Sequence, residues 1–396
     1  MNFEWSYLSA TKGIGGEIKR APDDFKVEEI APDGTIFELY KTIERPDSGN
    51  KYTQFVLQKK DWSTSSALKR IAKALRVGQK RFSYAGTKDK LAVTTQRVSV
   101  FEVPKEKLNS LALMDLQVNG AWGAEHKVQL GELLGNRFRI VWHGKEEDAE
   151  EKVQKTAEQL DGKFPNYFGM QRFGTTRQNT HRIGELLLRG QFQEAAMHFL
   201  AEVGNEEHQG ARAARAKLLD SKDFRVALKE FPKHLKLERT MLAHLSENQE
   251  DYIGAFRKLP RYTLLLFVHA FQSYLFNESL SERIKDGMVR KEDGEFYCDS
   301  NSYGFPDVDK PGMDWLCGKL LGYNSNPNQR EEELLERHQI SLDAFRMKGM
   351  PELSSKGAYR PLLAPMKDFR FKDSAFTFSL PAGSYATSAL REFMKG

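Results

Sequence analysis

Alternation of apolar and polar residues, the mark of a half-buried strand, is clearest toward the two ends of this chain. That distribution limits what the chain can fold into. Near the start, Phe25, Val27 and Glu29 fall on one face of a strand-like segment from Ile18 to Ile30, and Pro22 is read as its beginning. Phe82 and Tyr84 alternate, Val93 to Val103 resumes a β pattern, and Phe138, Ile140 and Trp142 follow Gly135. Past Lys348 the chain turns β-rich again and closes on FTFSLPAGSYATSALREFMKG. Between these ends, helical spacing dominates through Leu280. At 396 residues the chain exceeds what one compact core holds. The pattern predicts a unit assembled from both termini, with a largely helical middle inserted.

Ser63, Thr64 and Ser65 read as a helix start, followed by Leu68, Ile71, Ala72 and Leu75 at helical spacing. Lys69, Arg70, Lys73 and Arg76 are then left outward, and Gly78 is the expected stop. A charged helix is expected from about Asp148 to Leu160, and a solvated acidic one at Glu331 to Glu336. The most apolar stretch, Leu264 to Leu275, is too short to cross a bilayer. The first residues, MNFEWSYLSATKG, have neither the basic start nor the apolar run of a signal peptide. Cys298 and Cys317 lack any CxxC or CxxH partner, so neither a zinc site nor a disulfide framework is expected. A reducing cytoplasm is the expected compartment.

Charge is uneven along the chain. Residues 51–107 hold 14 Lys/Arg against 4 Asp/Glu, and residues 346–372 hold 7 against 2. The whole chain is only +5, so the remainder is acidic. Two basic segments in an acidic background fit one composite surface for a polyanion such as a nucleic acid. The competing reading is a lysine-rich helix face that serves solubility.

The stretch richest in chemistry is GTKDKLAVTTQ, Gly86 to Gln96. It is not a phosphate-binding P-loop, because no second glycine stands at the required spacing. The GIGG at Gly13 to Gly16 precedes a strand where a dinucleotide fingerprint would follow one. The nine histidines show neither HxH nor HxxxH spacing, so no metal site is expected. Taken alone, Asp89 reads as a turn residue bonding its own backbone.

Its context points elsewhere. The segment Gly86 to Gln96 resembles the hallmark of the TruD family of tRNA pseudouridine synthases. IKRAPDDFKVEE (Ile18 to Glu29), LGNRF (Leu134 to Phe138), PNYFGMQRFG (Pro165 to Gly174), FQSYLFN (Phe271 to Asn277) and LPAGSYATSALRE (Leu380 to Glu392) resemble further family segments, in family order. The resemblance implies an α/β catalytic domain with a mixed, largely antiparallel sheet, formed by residues 1–175 and 347–396. It also implies a family-specific α/β insertion domain at 176–346. The implied reaction turns uridine into pseudouridine in tRNA, typically at position 13 of the D arm, with no cofactor.

The family's catalytic aspartate falls at Asp89, and a family lysine falls at Lys19, the expected ion partner. Lys88 and Lys90 are excluded from that role, because neighbours in an extended segment point away. Phe25, Asn136, Phe138 and Tyr385 fall on family substrate-contact positions; Tyr385 stands where the family pattern has phenylalanine. Aromatic faces suit a flipped base, and an amide suits the uracil edge. PNYFGMQRFG is read as architecture shaping the pocket mouth. tRNA is the expected partner, with no membrane, no obligate protein partner and a monomeric state. Two other functions compete: a chaperone that holds RNA without chemistry, and a base-modifying enzyme of another class, such as a methyltransferase. The base that removes the C5 proton is not evident in the sequence.

Overall fold

The computed structural model describes residues 3–204 and 208–395. Its strands are β1 (Glu17–Ile18), β2 (Phe25–Ile30), β3 (Tyr52–Lys60), β4 (Phe82–Tyr84), β5 (Val93–Phe101), β6 (Leu116–Ala124), β7 (Gly135–His143), β8 (Lys163–Pro165), β9 (Phe296–Ser300), β10 (Pro306–Pro311), β11 (Trp315–Leu320), β12 (Ala358–Pro361), β13 (Leu363–Pro365), β14 (Lys367–Lys372) and β15 (Ala375–Pro381). The helices are α1 (Thr64–Leu75), α2 (Lys105–Asn109), α3 (Ala149–Leu160), α4 (Thr180–Leu188), α5 (Phe192–Ala201), α6 (Gln209–Ser221), α7 (Phe224–Glu230), α8 (Lys236–Glu247), α9 (Tyr252–Arg257), α10 (Arg261–Lys285), α11 (Gln329–Arg337) and α12 (Ala386–Met394). None of these helices is long and apolar enough to cross a membrane.

The chain forms two compact units. One comprises Leu8–Asn166, Ser300–Asp307 and Leu363–Gly396; the other comprises Met1–Tyr7, Tyr167–Asp299 and Val308–Leu362. The first unit is built on a nine-stranded sheet in the order β14-β15-β7-β2-β5-β3-β6, with β1 joined to β7 and β4 to β5. The pairing of β2 with β5 is parallel, and the other neighbours are antiparallel. The sheet is therefore mixed and largely antiparallel. Since β15 lies beside β7, the last strand of the chain completes the sheet begun at its start.

Side chains alternate across the strands, so each face of the sheet has its own partners. On one face Phe25, Val27, Phe138, Ile140, Phe376 and Phe378 pack with Val153 and Leu160 of α3 and Leu390 and Phe393 of α12. Further along that face Phe55, Leu57, Val98 and Val100 pack with Leu68 and Ile71 of α1. Each fully buried aliphatic chain of this kind contributes about 1.5–3 kcal/mol. On the opposite face Ala31, Phe37, Val56 and Trp122 form a smaller cluster.

Helix α1 starts as its sequence predicts, with the Ser63 side chain accepting from the Ser66 amide. It ends before Gly78. Arg76 itself takes the left-handed conformation, φ 58°, and its amide closes on the Ala72 and Lys73 carbonyls. Gly78 instead precedes the short 3-10 turn Gln79–Arg81. Pro22 likewise opens a 3-10 turn, Pro22–Asp24, and the strand starts three residues later at Phe25. That turn separates β1 from β2, so the single strand expected from Ile18 to Ile30 is two.

The second unit has a helical core in which α4, α5, α8 and α10 meet through Leu187, Leu200, Leu242 and Phe267. It also carries strands β9, β11 and β12. The acidic helix α11 is less solvated than its sequence implies. Glu331 is buried, caps Asn328 reciprocally, and meets Lys319 Nζ at 2.8 Å. Burial pushes its carboxyl upward despite that lysine. Cys298 and Cys317, distant in sequence, are buried free thiols with their sulfurs 3.5 Å apart across β9 and β11. Burial pushes the Cys317 thiol well above its ordinary range, which leaves it a poor nucleophile.

Candidate active site

The loop from Gly86 to Lys90 leads into β5 and belongs to no regular element. A loop free of ladder hydrogen bonds must find other partners for its polar groups, and here three of its main-chain groups are held by side chains. Gln96 Nε2 donates to the Gly86 carbonyl at 3.0 Å. Thr64 Oγ1 accepts from the Lys88 amide at 3.0 Å and donates to Gln96 Oε1 at 2.9 Å. Lys59 Nζ donates to the Asp89 carbonyl at 2.6 Å. The loop is thus fixed from β5, from the first turn of α1 and from the end of β3.

Beneath the loop lies a buried charge network. Lys88 turns away from Asp89 and sets its ammonium 2.9 Å from Glu29 Oε2, with both side chains almost wholly enclosed. The same ammonium donates to Asn136 Oδ1 at 2.6 Å. The other Glu29 oxygen accepts from the Arg97 amide at 2.9 Å. Glu29 and Asn136 face each other because β2 and β7 pair in that register, with Val27 opposite Phe138 and Phe25 opposite Ile140. Strand pairing therefore determines which loop residue is captured.

Asp89 remains the more open carboxylate, with 31% of its side chain exposed, and Lys19 Nζ stands 3.0 Å from its Oδ2. Lys19 reaches it from a left-handed backbone position, φ 65°, just past β1. Its ammonium also lies 4.4 Å from the centre of the Phe25 ring, a cation–π contact that fixes its direction. Phe25 and Phe138 are buried and meet edge to face, with ring centres 6.2 Å apart. Tyr385 is half-buried on the turn between β15 and α12, just beyond the pairing of Leu380 with Asn136.

Lys19, Phe25, Asn136, Phe138 and Asp89 are therefore gathered around one loop on one face of the sheet. Three residues that sequence reasoning did not assign to the site join them: Glu29, Lys88 and Lys59. A signal existed for two. Glu29 continues the Phe25–Val27 face and Lys59 continues the Phe55–Leu57 face, so each is a charge in an apolar position. Lys59 is 0% exposed, and burial pushes its ammonium down to about 8. Asp89 opposes that shift, and Lys88 and Lys19 reinforce it. Keeping Lys59 charged at neutral pH costs about 3 kcal/mol relative to an exposed lysine.

A partly exposed carboxylate paired with lysine lies above a closed bed of charge and beside an aromatic edge. The sheet and sequence identify the class of protein. Residues 4–393 match the family description tRNA pseudouridine synthase D (TruD). A probable tRNA pseudouridine synthase D of Methanosarcina mazei is 35% identical, with 98% of this chain and 95% of the relative covered. One from Methanopyrus kandleri is 40% identical over 90% of this chain and 89% of its own. The crystal structure of a Methanosarcina mazei tRNA pseudouridine synthase D superposes with a TM-score of 0.76 at 34% identity, covering 98% and 96% of the two chains. The protein is an isomerase that converts uridine to pseudouridine in tRNA. It belongs to the TruD family.

The Lys88–Glu29 pair generates a stability prediction. Removing one member of a buried pair strands the other charge, so Lys88→Met is expected to destabilise the fold by about 3–5 kcal/mol. The double variant Lys88→Met/Glu29→Gln is expected to recover a large part of that loss. Urea denaturation of the four proteins in the cycle checks it. A double variant as unstable as the sum of the singles would show the two groups to be uncoupled.

Proposed function

We propose that Asp89 is the catalytic carboxylate and that the target is uridine 13 in the D arm of tRNA, isomerised without a cofactor. The observation that carries this is the Lys19–Asp89 pair at 3.0 Å on a loop anchored by the side chains of Lys59, Thr64 and Gln96. In the reaction the N1–C1′ bond breaks, the uracil turns, and C5 bonds to C1′; the C5 proton leaves and N1 gains one. Nothing is oxidised and no group is donated, which is why no cofactor is needed. The step needs a negative charge at C1′, as nucleophile or as a stabiliser of developing positive charge. Asp89 supplies it, and Lys19, 3.0 Å from its Oδ2, holds the carboxylate in direction.

Uracil enters the pocket out of the stack. Phe138 and Tyr385 flank it, Phe25 lies beneath as the seat of Lys19, and the Asn136 amide reads the base edge. Since Lys88 occupies Asn136 Oδ1, the amide N–H groups are the ones left for a uracil carbonyl. Residues 1–175 and 347–396 form the catalytic domain in this reading, and 176–346 the insertion domain. The protein acts as a monomer in the cytoplasm, where Cys298 and Cys317 stay thiols. An RNA chaperone has no use for so closely placed a carboxylate, which favours the enzyme reading over it.

The exposed face of α1 is the proposed phosphate-binding surface. Of the basic residues between 51 and 107, Lys60, Arg81, Lys88, Arg97 and Lys105 are committed to carboxylates. Lys69, Arg70, Lys73 and Arg76 lie toward solvent, and among the described residues none meets a carboxylate. They are available for RNA phosphates.

Two outcomes are expected. Protein dialysed exhaustively against chelator, incubated with unmodified tRNA transcripts refolded separately, yields pseudouridine at position 13 when mapped at single-nucleotide resolution. Product elsewhere would contradict the assigned position, and dependence on added zinc would contradict the chemistry. Replacing Lys69, Arg70 and Lys73 by glutamine weakens cognate and non-cognate tRNA alike. It also makes the slope of log affinity against log salt shallower, by roughly 0.7–0.9 for each phosphate no longer neutralised. An unchanged slope would put the RNA on another surface.

A further inference from the structure

We propose that Lys59 is a positioning residue for the isomerisation, acting through the main chain of Asp89. The proposal rests on the assignment of Asp89 as the catalytic carboxylate and adds the device that sets its position. Lys59 ends the inward face of β3 after Phe55 and Leu57, where an apolar chain would ordinarily fill the slot. Its side chain is wholly enclosed, and its ammonium donates to the Asp89 carbonyl at 2.6 Å. Among the described residues no carboxylate lies within ion-pair distance of it.

The adjacent lysine shows the contrast. Lys60, one residue on and facing the other way, pairs at the surface with Asp23 at 2.6 Å, as a solubilising lysine does. Lys59 has no such explanation, and keeping it charged inside the fold lowers stability. Replacing a buried charge by a packed apolar chain is commonly neutral or stabilising. A stability-lowering group retained inside a site points to a task there. The task is legible from the bond it makes. Asp89 sits on a loop without ladder hydrogen bonds, and its carbonyl is the atom nearest its own side chain that a donor can hold. Holding it fixes Cα, and Cα fixes where the carboxylate meets C1′. A misplacement of about 1 Å at a reacting atom can cost on the order of 100-fold in rate.

Titration gives a readout that packing alone cannot imitate. The groups facing the Lys59 ammonium are Asp89, Lys88, Lys19 and Asp61, and the balance of burial and charge brings it to about 8. Below that pH it is an ammonium and grips the carbonyl; above it, a neutral amine makes a weaker donor. Because its proton is held less tightly in the folded chain than in an unfolded one, the charged form opposes folding. That penalty is fully present below about pH 8 and disappears as pH rises toward 10.5.

The test is single-turnover kinetics with a tRNA transcript for wild type, Lys59→Met and, as a reference, Asp89→Asn. Lys59→Met is expected to lose ~10²-fold in the rate constant with tRNA affinity little changed. Its thermal stability at pH 7 is expected to be equal to wild type or higher. The wild-type rate is expected to decline with a midpoint near pH 8, a limb missing from Lys59→Met. The wild-type profile needs no variant to fold, so an absent limb overturns the proposal even if Lys59→Met is insoluble. A Lys59→Met rate within a few-fold of wild type also overturns it. If that occurs while Asp89→Asn is inactive, the Asp89 assignment stands and only the role of Lys59 falls. An active Asp89→Asn would mean that the underlying assignment has failed.

Discussion

Everything at this site depends on the buried ion pair between Lys88 and Glu29. It joins the loop between β4 and β5 to β2 at the one place in the sheet where neighbours run parallel. A parallel pair leaves no hairpin to hold the strand ends together, so the connection must be made by side chains. Lys88 makes it. By turning inward to Glu29 and Asn136, it obliges the next residue, Asp89, to turn the other way, toward Lys19. Glu29 is enclosed on the inward face of β2, and Asp89 is left partly open on the loop.

Such a pair is a poor device for stability, since two desolvated ions seldom outperform packed hydrocarbon. Its value is geometric. The three lysines at 19, 59 and 88 surround two carboxylates, Asp89 and Glu29, and each lysine serves a different part of the loop. One meets the Asp89 side chain, one the Asp89 carbonyl, and one comes from inside the loop itself. In the proposed mechanism this spreads positive charge around the reacting carboxylate without any one group blocking the approach of the sugar. It also leaves a net positive site for a substrate that arrives with its phosphates.

Much of this was legible from the sequence, for identifiable reasons. The strand at Phe138 to Trp142 was readable because one of its faces is buried in near-regular alternation; the strand from Val93 is buried on both faces and was readable from its β-branched residues Val93, Thr94 and Thr95. Helix α1 was readable at its start because Ser63 caps it with its own side chain. Its end was not, because Arg76 adopts a conformation that composition assigns to glycine. Glu331 was misread as solvated because its partner, Lys319, lies in a strand that sequence spacing cannot place beside it. Lys59 and Lys88 escaped for the same reason. A lysine reads as surface until the strand register shows what it faces, and Lys59 and Lys60 differ only in which side of β3 they leave. The Lys19–Asp89 pairing came from family resemblance, and no periodicity in the chain implies it.

In the proposed mechanism one carboxylate does the chemistry while the rest of the surface holds RNA. Single-turnover conversion of an unmodified tRNA transcript by Asp89→Asn, with affinity measured in parallel, tests it most directly. No detectable pseudouridine and a dissociation constant within a few-fold of the parent are expected, because phosphate contacts supply most of the affinity. Turnover above a few per cent of wild type, in protein verified free of deamidation, would contradict it.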